Sequence, residues 1–154
     1  MLSAGCTASS DSESPELTPP TPESTTSGSY QDQEFLSLLT ESSDEITKLL
    51  DNVTKSTDNS DTDGLMIYSA GIMLISDNYK AELEALTVSP ELEPSKNNYI
   101  KALEECSDAG YNYGTGAEYM GKEDYDTAEE YINKGNVNAE SAIEYINNVS
   151  ESLS

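Results

Sequence analysis

The side chains that could do chemistry are few in this sequence, and their types exclude most catalytic groupings. The 154 residues include 2 cysteines and no histidine, and all 7 basic residues are lysine. Without histidine there are no Ser-His or Cys-His nucleophile pairs, and no Glu-x-x-His ligands of the kind that di-iron bundles use. Without arginine there is no bidentate phosphate clamp. We therefore expect a protein that is not an enzyme and that carries no cofactor.

The two cysteines lie in different surroundings. Cys106 falls on an apolar helical stripe and is expected to be a small core residue rather than a nucleophile. Cys6 lies beside a long stretch rich in serine and threonine. A disulfide between them would pin a segment whose composition is typical of a loose tail, so we expect none.

The clearest spacing of metal-type ligands is the run NSDTDG at 59–64. Alternating oxygen ligands and a glycine at the sixth position make this run similar to the first half of an EF-hand calcium loop. The glutamate expected at the twelfth position is Ala70 here, so the favoured interpretation is a turn whose aspartates cap the next helix. Asn59, Asp61 and Asp63 stay weak candidates for a metal, and no dedicated metal site is expected.

A second candidate site combines tyrosines and glycines in the second half of the chain. Glycine inside a helix costs up to about 1 kcal/mol relative to alanine, so glycines there need a compensating role. Close helix packing is the favoured role. The alternative is a groove that holds a small or peptide ligand, lined by Tyr111, Tyr113, Tyr119 and Tyr131.

The first residues, Leu2-Ser3-Ala4-Gly5-Cys6, resemble a lipobox, the cleavage and lipidation signal of secreted lipoproteins. The charged and apolar stretches that precede a lipobox are not part of this sequence. The resemblance implies that Cys6 carries a lipid anchor. Residues 1–29 are otherwise dominated by Ser, Thr, Pro and Glu, a composition that predicts a disordered tether. Asn52 and Asn148 begin sequons and are candidate glycosylation sites of an exported protein.

The charge balance restricts the partners. The chain has 30 acidic side chains and a net charge of −23. Such a surface repels nucleic acids and anionic lipids, so we expect no nucleic-acid partner and no membrane contact except through the lipid anchor. Weak cation binding and an unidentified protein or small-ligand partner remain open. The acidic, arginine-free composition resembles that of surface lipoproteins from methanogenic or salt-adapted archaea.

The secondary structure that positions these side chains must lie in residues 30–154. The hydrophobic pattern of this part of the chain is helical throughout. Apolar residues recur at alternating steps of three and four along four segments, which is the seam of an antiparallel helix bundle. Short polar connections favour an all-α, up-down-up-down four-helix bundle with helices at about 30–55, 62–86, 94–120 and 124–152. The predicted second seam is Leu65, Tyr68, Ile72, Ile75, Tyr79, Leu83 and Leu86, and the fourth runs from Tyr125 through Ala139 and Ala142 to Leu153.

These features together favour a non-enzymatic, extracytoplasmic, cell-surface lipoprotein that acts as a structural or interaction module. One alternative is a binding protein for a small or peptide ligand at the tyrosine and glycine face of helices three and four. A second alternative is a cytoplasmic, acidic helical adaptor.

The predicted helical phase can be tested at Ala139. Because Ala139→Asp places a charge on an apolar seam, it is expected to cost several kcal/mol of unfolding free energy. Urea denaturation followed by circular dichroism measures this loss. An Ala139→Asp variant that unfolds like wild type would show that the phase assigned to the fourth helix is wrong.

Overall fold

A computed structural model describes residues 30–154, and these residues form four helices and no strand. The predicted all-α four-helix bundle is therefore confirmed. The largest difference from the predicted bounds is at the end of the first helix, which we expected near Lys55 and which continues to Asp58. The helices are α1 (Asp32–Asp58), α2 (Thr62–Ala85), α3 (Glu93–Gly121) and α4 (Tyr125–Ser152). Cys6 and the rest of the predicted tether lie outside the described residues.

Side-chain caps explain where two of the helices begin. Asp61 precedes α2 and its carboxylate accepts a hydrogen bond from the backbone N–H of Gly64 at 3.0 Å. Asp124 precedes α4 and accepts from the N–H of Thr127 at 3.3 Å. Each aspartate satisfies an N–H that has no partner inside the helix. Pro94 lies in the first turn of α3, where a missing N–H costs nothing.

Hydrogen bonds between helix ends show that neighbouring helices run in opposite directions. The start of α1 meets the α2–α3 loop, where the N–H of Gln31 donates to the carbonyl of Thr87 at 2.8 Å. Beside it, the N–H of Ser89 donates to Asp32 Oδ1 at 2.7 Å. We call these four residues the N-terminal clasp. At the same end of the bundle the start of α3 meets the end of α4, where the hydroxyls of Ser95 and Ser152 lie 2.8 Å apart.

The helices contact one another mainly in chain order, and α3 has the most buried residues. α3 packs along both α2 and α4, whereas α1 packs on α2 and reaches α3 only at a few positions. One of these is Tyr99, whose hydroxyl lies 2.7 Å from that of Ser42 and 2.8 Å from that of Ser43. Within residues 30–154, no close backbone contact joins α4 to α1 or α2.

The buried face of α2 differs from its predicted seam. Tyr68 and Ile75 are only half-buried, whereas Ser69 and Ser76 are fully buried. At Ser69 the reason is the close approach of α3, since a Cβ atom at Gly110 would lie 2.8 Å from the carbonyl oxygen of Ser69. Within the apolar run LMIYSAGIMLI at 65–75, Ile67 is 67% exposed and Leu74 is 63% exposed.

The fourth seam is wrong at its two ends. Tyr125 and Leu153 are exposed, since one is the first residue of α4 and the other directly follows its last residue. The middle of the seam is buried as expected, including Ala139 and Ala142.

Three glycines allow α3 to pack closely against its neighbours. A Cβ atom at Gly110 would lie 2.8 Å from the carbonyl oxygen of Ser69 on α2. At Gly116 it would lie 3.2 Å from the carbonyl oxygen of Ala128 on α4. At Gly135, on α4 itself, it would lie 2.7 Å from the ring of Tyr113. The geometry at these glycines is that of close helix packing.

The glycine contacts predict opposite effects for two neighbouring substitutions on α3. Gly110→Ala is expected to lower the free energy of unfolding by roughly 1–3 kcal/mol, because the backbone of α2 cannot move away from the added methyl group without loss of packing. Gly114→Ala is the matched control, since its Cβ would meet only Ser69 Cβ at an ordinary 3.6 Å. Alanine should raise stability there by up to about 1 kcal/mol.

Urea denaturation of both variants measures the two effects. Equal effects of the two substitutions would contradict the assignment of Gly110 as the point of closest approach.

Candidate functional site

The four tyrosines of the predicted ligand face do not share one surface. Tyr113 is buried between α3 and α4, and its hydroxyl donates to Asn136 Oδ1 at 2.9 Å. Tyr111 points the other way, since two positions along a helix differ by about 200°, and it is 59% exposed. Tyr119 and Tyr131 lie together at the α3–α4 turn.

Tyr119 and Tyr131 form a stacked pair that is flanked by two lysines. Their ring centroids are 5.7 Å apart and the rings are within 7° of parallel. Lys122 Nζ lies 4.8 Å from the centroid of Tyr119, and Lys134 Nζ lies 4.5 Å from that of Tyr131. Cation–π contacts of this kind are worth about 0.5–1 kcal/mol at exposed sites. The group therefore ties the ends of two helices together.

An open groove of about 490 Å³ lies between α3 and α4. Two asparagines on facing helices lie at its edge, with Asn112 Nδ2 donating to Asn138 Oδ1 at 2.9 Å. None of the four predicted tyrosines lines this groove. Its lining residues are Asn112, Glu130, Asn133, Lys134, Val137 and Asn138.

A second open groove, of about 320 Å³, lies between α2 and α3 and is more apolar in character. We call it the methionine groove. Tyr111 is the one residue of the predicted tyrosine set that lines it. Ile67 and Leu74 lie on the same outer side of α2 and extend the exposed apolar surface. The groove is lined by Met66, Ala70, Met73, Tyr111, Gly114, Thr115 and Glu118.

The predicted second seam does not point to the methionine groove, because it contains neither Met66 nor Met73. The signal that could have found it is the width of the stripe. From 65 to 75 apolar residues occur on every side of the helix, and one helix rarely buries all sides at the edge of a four-helix bundle. Met66 and Met73 are one heptad apart on the side of α2 that other helices do not cover completely.

Two of the three weak metal candidates in the turn at 59–64 cap helices, as the favoured interpretation expected. Asn59 caps the end of α1, and its side-chain nitrogen donates to the carbonyl of Lys55 at 2.7 Å. Asp61 caps α2, and Asp63 is exposed in the first turn of that helix. Within residues 30–154, no three His, Cys, Asp or Glu side chains are grouped so that they could hold a metal ion.

The sequon residues lie on helices and differ in exposure. Asn52 is half-buried on α1, and Asn148 is exposed on α4. Their glycosylation stays a prediction. Over residues 30–154, no helix combines the length and the hydropathy that a membrane crossing requires.

The two most strongly perturbed groups are held in their neutral forms. Burial raises the pKa of the Cys106 thiol to about 12, and the thiol is free. Burial also raises the pKa of Tyr113 to about 12, with Glu140 contributing. A protonated thiol is a poor nucleophile, so the position of Cys106 suits packing rather than catalysis.

The fold and its surfaces define an acidic, all-α four-helix bundle with two open grooves on either side of the outer face of α3. Comparisons of the chain with protein-family models, with curated proteins and with solved structures found no match.

The raised pKa of Cys106 predicts a loss of stability at alkaline pH. The folded chain keeps the thiol proton up to a pKa of about 12, whereas the ordinary pKa is 9.0. The stabilising contribution is therefore complete below pH 9 and is lost as the pH rises from 9 towards 12. Relative to Cys106→Ala, wild type should lose up to about 1.4 kcal/mol per pH unit in that range.

Urea denaturation of both proteins at several pH values measures this difference. The pH range from 7 to 8.5 serves as the internal control, since the difference should be constant there. A difference that stays constant up to pH 11 would contradict the prediction.

Proposed function

We propose that this chain is a non-enzymatic, extracytoplasmic lipoprotein of the cell surface. In this proposal a lipid on Cys6 anchors the chain, residues 7–29 act as the spacer, and the four-helix bundle is a structural or interaction module. The observation that carries the interaction role is the apolar surface that α2 leaves exposed, with Ile67 and Leu74 at its centre. Exposed apolar patches on otherwise charged proteins mark sites of contact with partners.

The surroundings of Cys106 and Tyr113 support a role other than catalysis. Cys106 is buried in the core between helices, and its thiol stays protonated at neutral pH. The hydroxyl of Tyr113 is used in a hydrogen bond to Asn136. Both side chains therefore serve the packing of α3.

The sequence of Leu2 to Cys6 supports the lipid anchor through its resemblance to a lipobox. The order of lipobox, Ser/Thr/Pro-rich spacer and folded domain also agrees with how surface lipoproteins hold a domain away from the membrane. The acidic bundle would be repelled by an anionic bilayer, so a spacer of this length is consistent with such an arrangement.

Phase partitioning tests the anchor. The full native reading frame is expressed in its own host, and Triton X-114 separates lipidated from non-lipidated chains. We expect wild type in the detergent phase and Cys6→Ser in the aqueous phase. Cys106→Ala is the matched control and should stay in the detergent phase, because its thiol lies in the core. Wild type found in the aqueous phase would contradict the anchor and favour the cytoplasmic adaptor.

A small or peptide ligand between α3 and α4 is the second candidate function. The observation that favours it is the groove of about 490 Å³, which falls within the usual size range of ligand sites. Its polar side chains, Asn112 and Asn138 among them, would select for hydrogen-bonding ligands. Its lining differs from the tyrosine face that the sequence indicated, so this candidate now depends on asparagines rather than on tyrosines.

A further inference from the structure

The methionine groove has an apolar floor and an acidic surround. Met66, Ala70 and Met73 form its α2 side. Within about one helical turn of these residues lie Asp63 and Asp77, both on α2 and both exposed. The α3 side is likewise apolar with acidic residues beside it: Tyr111 lies in the groove, and acidic residues come before and after it along the helix. The exposed acidic residues around the groove are Asp63, Asp77, Asp108 and Glu118.

Two lysines lie near the groove, and one of them, Lys122, offsets part of its negative charge. Lys80 is paired with Glu104 at 2.7 Å, and Lys122 lies 3.8 Å from Glu118 while it also covers the ring of Tyr119. Within residues 30–154, the other three carboxylates, those of Asp63, Asp77 and Asp108, are in no ion pair. The groove is therefore an apolar strip with net negative charge around it.

From this charge pattern and spacing we propose that the methionine groove docks an amphipathic helix of a basic partner protein. The proposal deepens the interaction role given above and rests on it. The apolar face of such a helix would lie on Met66, Met73 and Tyr111, and its lysines or arginines would face the surrounding carboxylates. Helix-in-groove recognition of this kind uses apolar anchors at steps of three, four and seven residues.

The spacing on α2 fits that mode of recognition. Met66 and Met73 are one heptad apart, as are Ile67 and Leu74, so two parallel rows of apolar side chains follow the helix axis. Methionine side chains are flexible and adapt to differently shaped partners. Ala70, between the rows, leaves room for a large side chain of the partner to enter.

A second copy of this chain is the less favoured occupant. Each copy has a net charge of −23, so bringing two such surfaces together is opposed by electrostatic repulsion. A basic helix meets the opposite condition, because the same field would attract it and speed its association.

A synthetic peptide tests the proposal on the full chain. The probe is a fluorescein-labelled helical peptide of leucine and lysine, with leucines at helical spacing, and anisotropy measures its binding. A scrambled peptide of the same composition and a leucine–glutamate peptide are the peptide controls. We expect only the amphipathic basic peptide to bind, with an affinity that falls as ionic strength rises from about 0.05 M to about 0.5 M.

Two variants of the protein separate groove binding from general attraction to negative charge. Ala70→Glu adds a carboxylate but fills the groove, whereas Ile143→Glu adds the same charge at an exposed apolar position on α4. We expect Ala70→Glu to weaken binding by at least about tenfold, as loss of a central contact does. Ile143→Glu should bind as wild type or slightly more tightly. Circular dichroism confirms that both variants are folded.

Several outcomes would overturn the proposal. Equal binding by the two variants would show that charge alone attracts the peptide. Equal binding of the scrambled peptide would also overturn the proposal, and so would no binding of any peptide. A dimer in analytical ultracentrifugation that Ala70→Glu dissociates would assign the groove to self-association. Failure of the lipid anchor is seen independently, since phase partitioning does not depend on the groove.

Discussion

The close approach of α3 to both of its neighbours is the contact on which the rest of the bundle depends. At Gly110 the backbone of α2 lies where a methyl group would otherwise be, and at Gly116 the backbone of α4 does so. Backbones at this distance leave room only for a small side chain, which explains why a serine, Ser69, is buried at this point of α2. Because α3 supports a helix on each side, it has the most buried residues of the four, and α1 is held mainly by α2.

Buried polar groups between the helices are mostly satisfied, and they specify which surfaces meet. The hydroxyl of Tyr99 joins α1 to α3 through Ser42 and Ser43. Lys96 is almost fully buried, and its ammonium group donates to the carbonyl of Leu86 at 3.0 Å, which caps the end of α2. A buried polar group without a partner costs more folding free energy than a typical hydrogen bond contributes. Ser76 is the exception, since its hydroxyl is buried without a hydrogen-bond partner among the described residues.

Much of the architecture follows from the sequence, because the three-and-four spacing of apolar residues and the aspartates before α2 and α4 are local signals. The prediction of buried residues fails where the distance between two helices decides which side chains are buried. Nothing local indicates that Ser69 is more buried than Tyr68; that order follows from Gly110 on another helix. The same holds for the site. Tyr111 and Tyr113 are close in sequence but face opposite sides of α3, and the exposed half of the α2 stripe depends on which helices cover it. The lipid anchor on Cys6 is still a prediction.

The two grooves give the outer side of α3 a different character on each edge, with methionine and alanine towards α2 and asparagine towards α4. The N-terminal clasp lies apart from both, where residues 1–29 join the bundle. In an anchored chain, any mechanical tension between membrane and bundle would enter at Gln31 and Asp32 and pass to the α2–α3 loop through their two hydrogen bonds to Thr87 and Ser89. Part of that load would bypass the rest of α1, because the α2–α3 loop leads directly into α3.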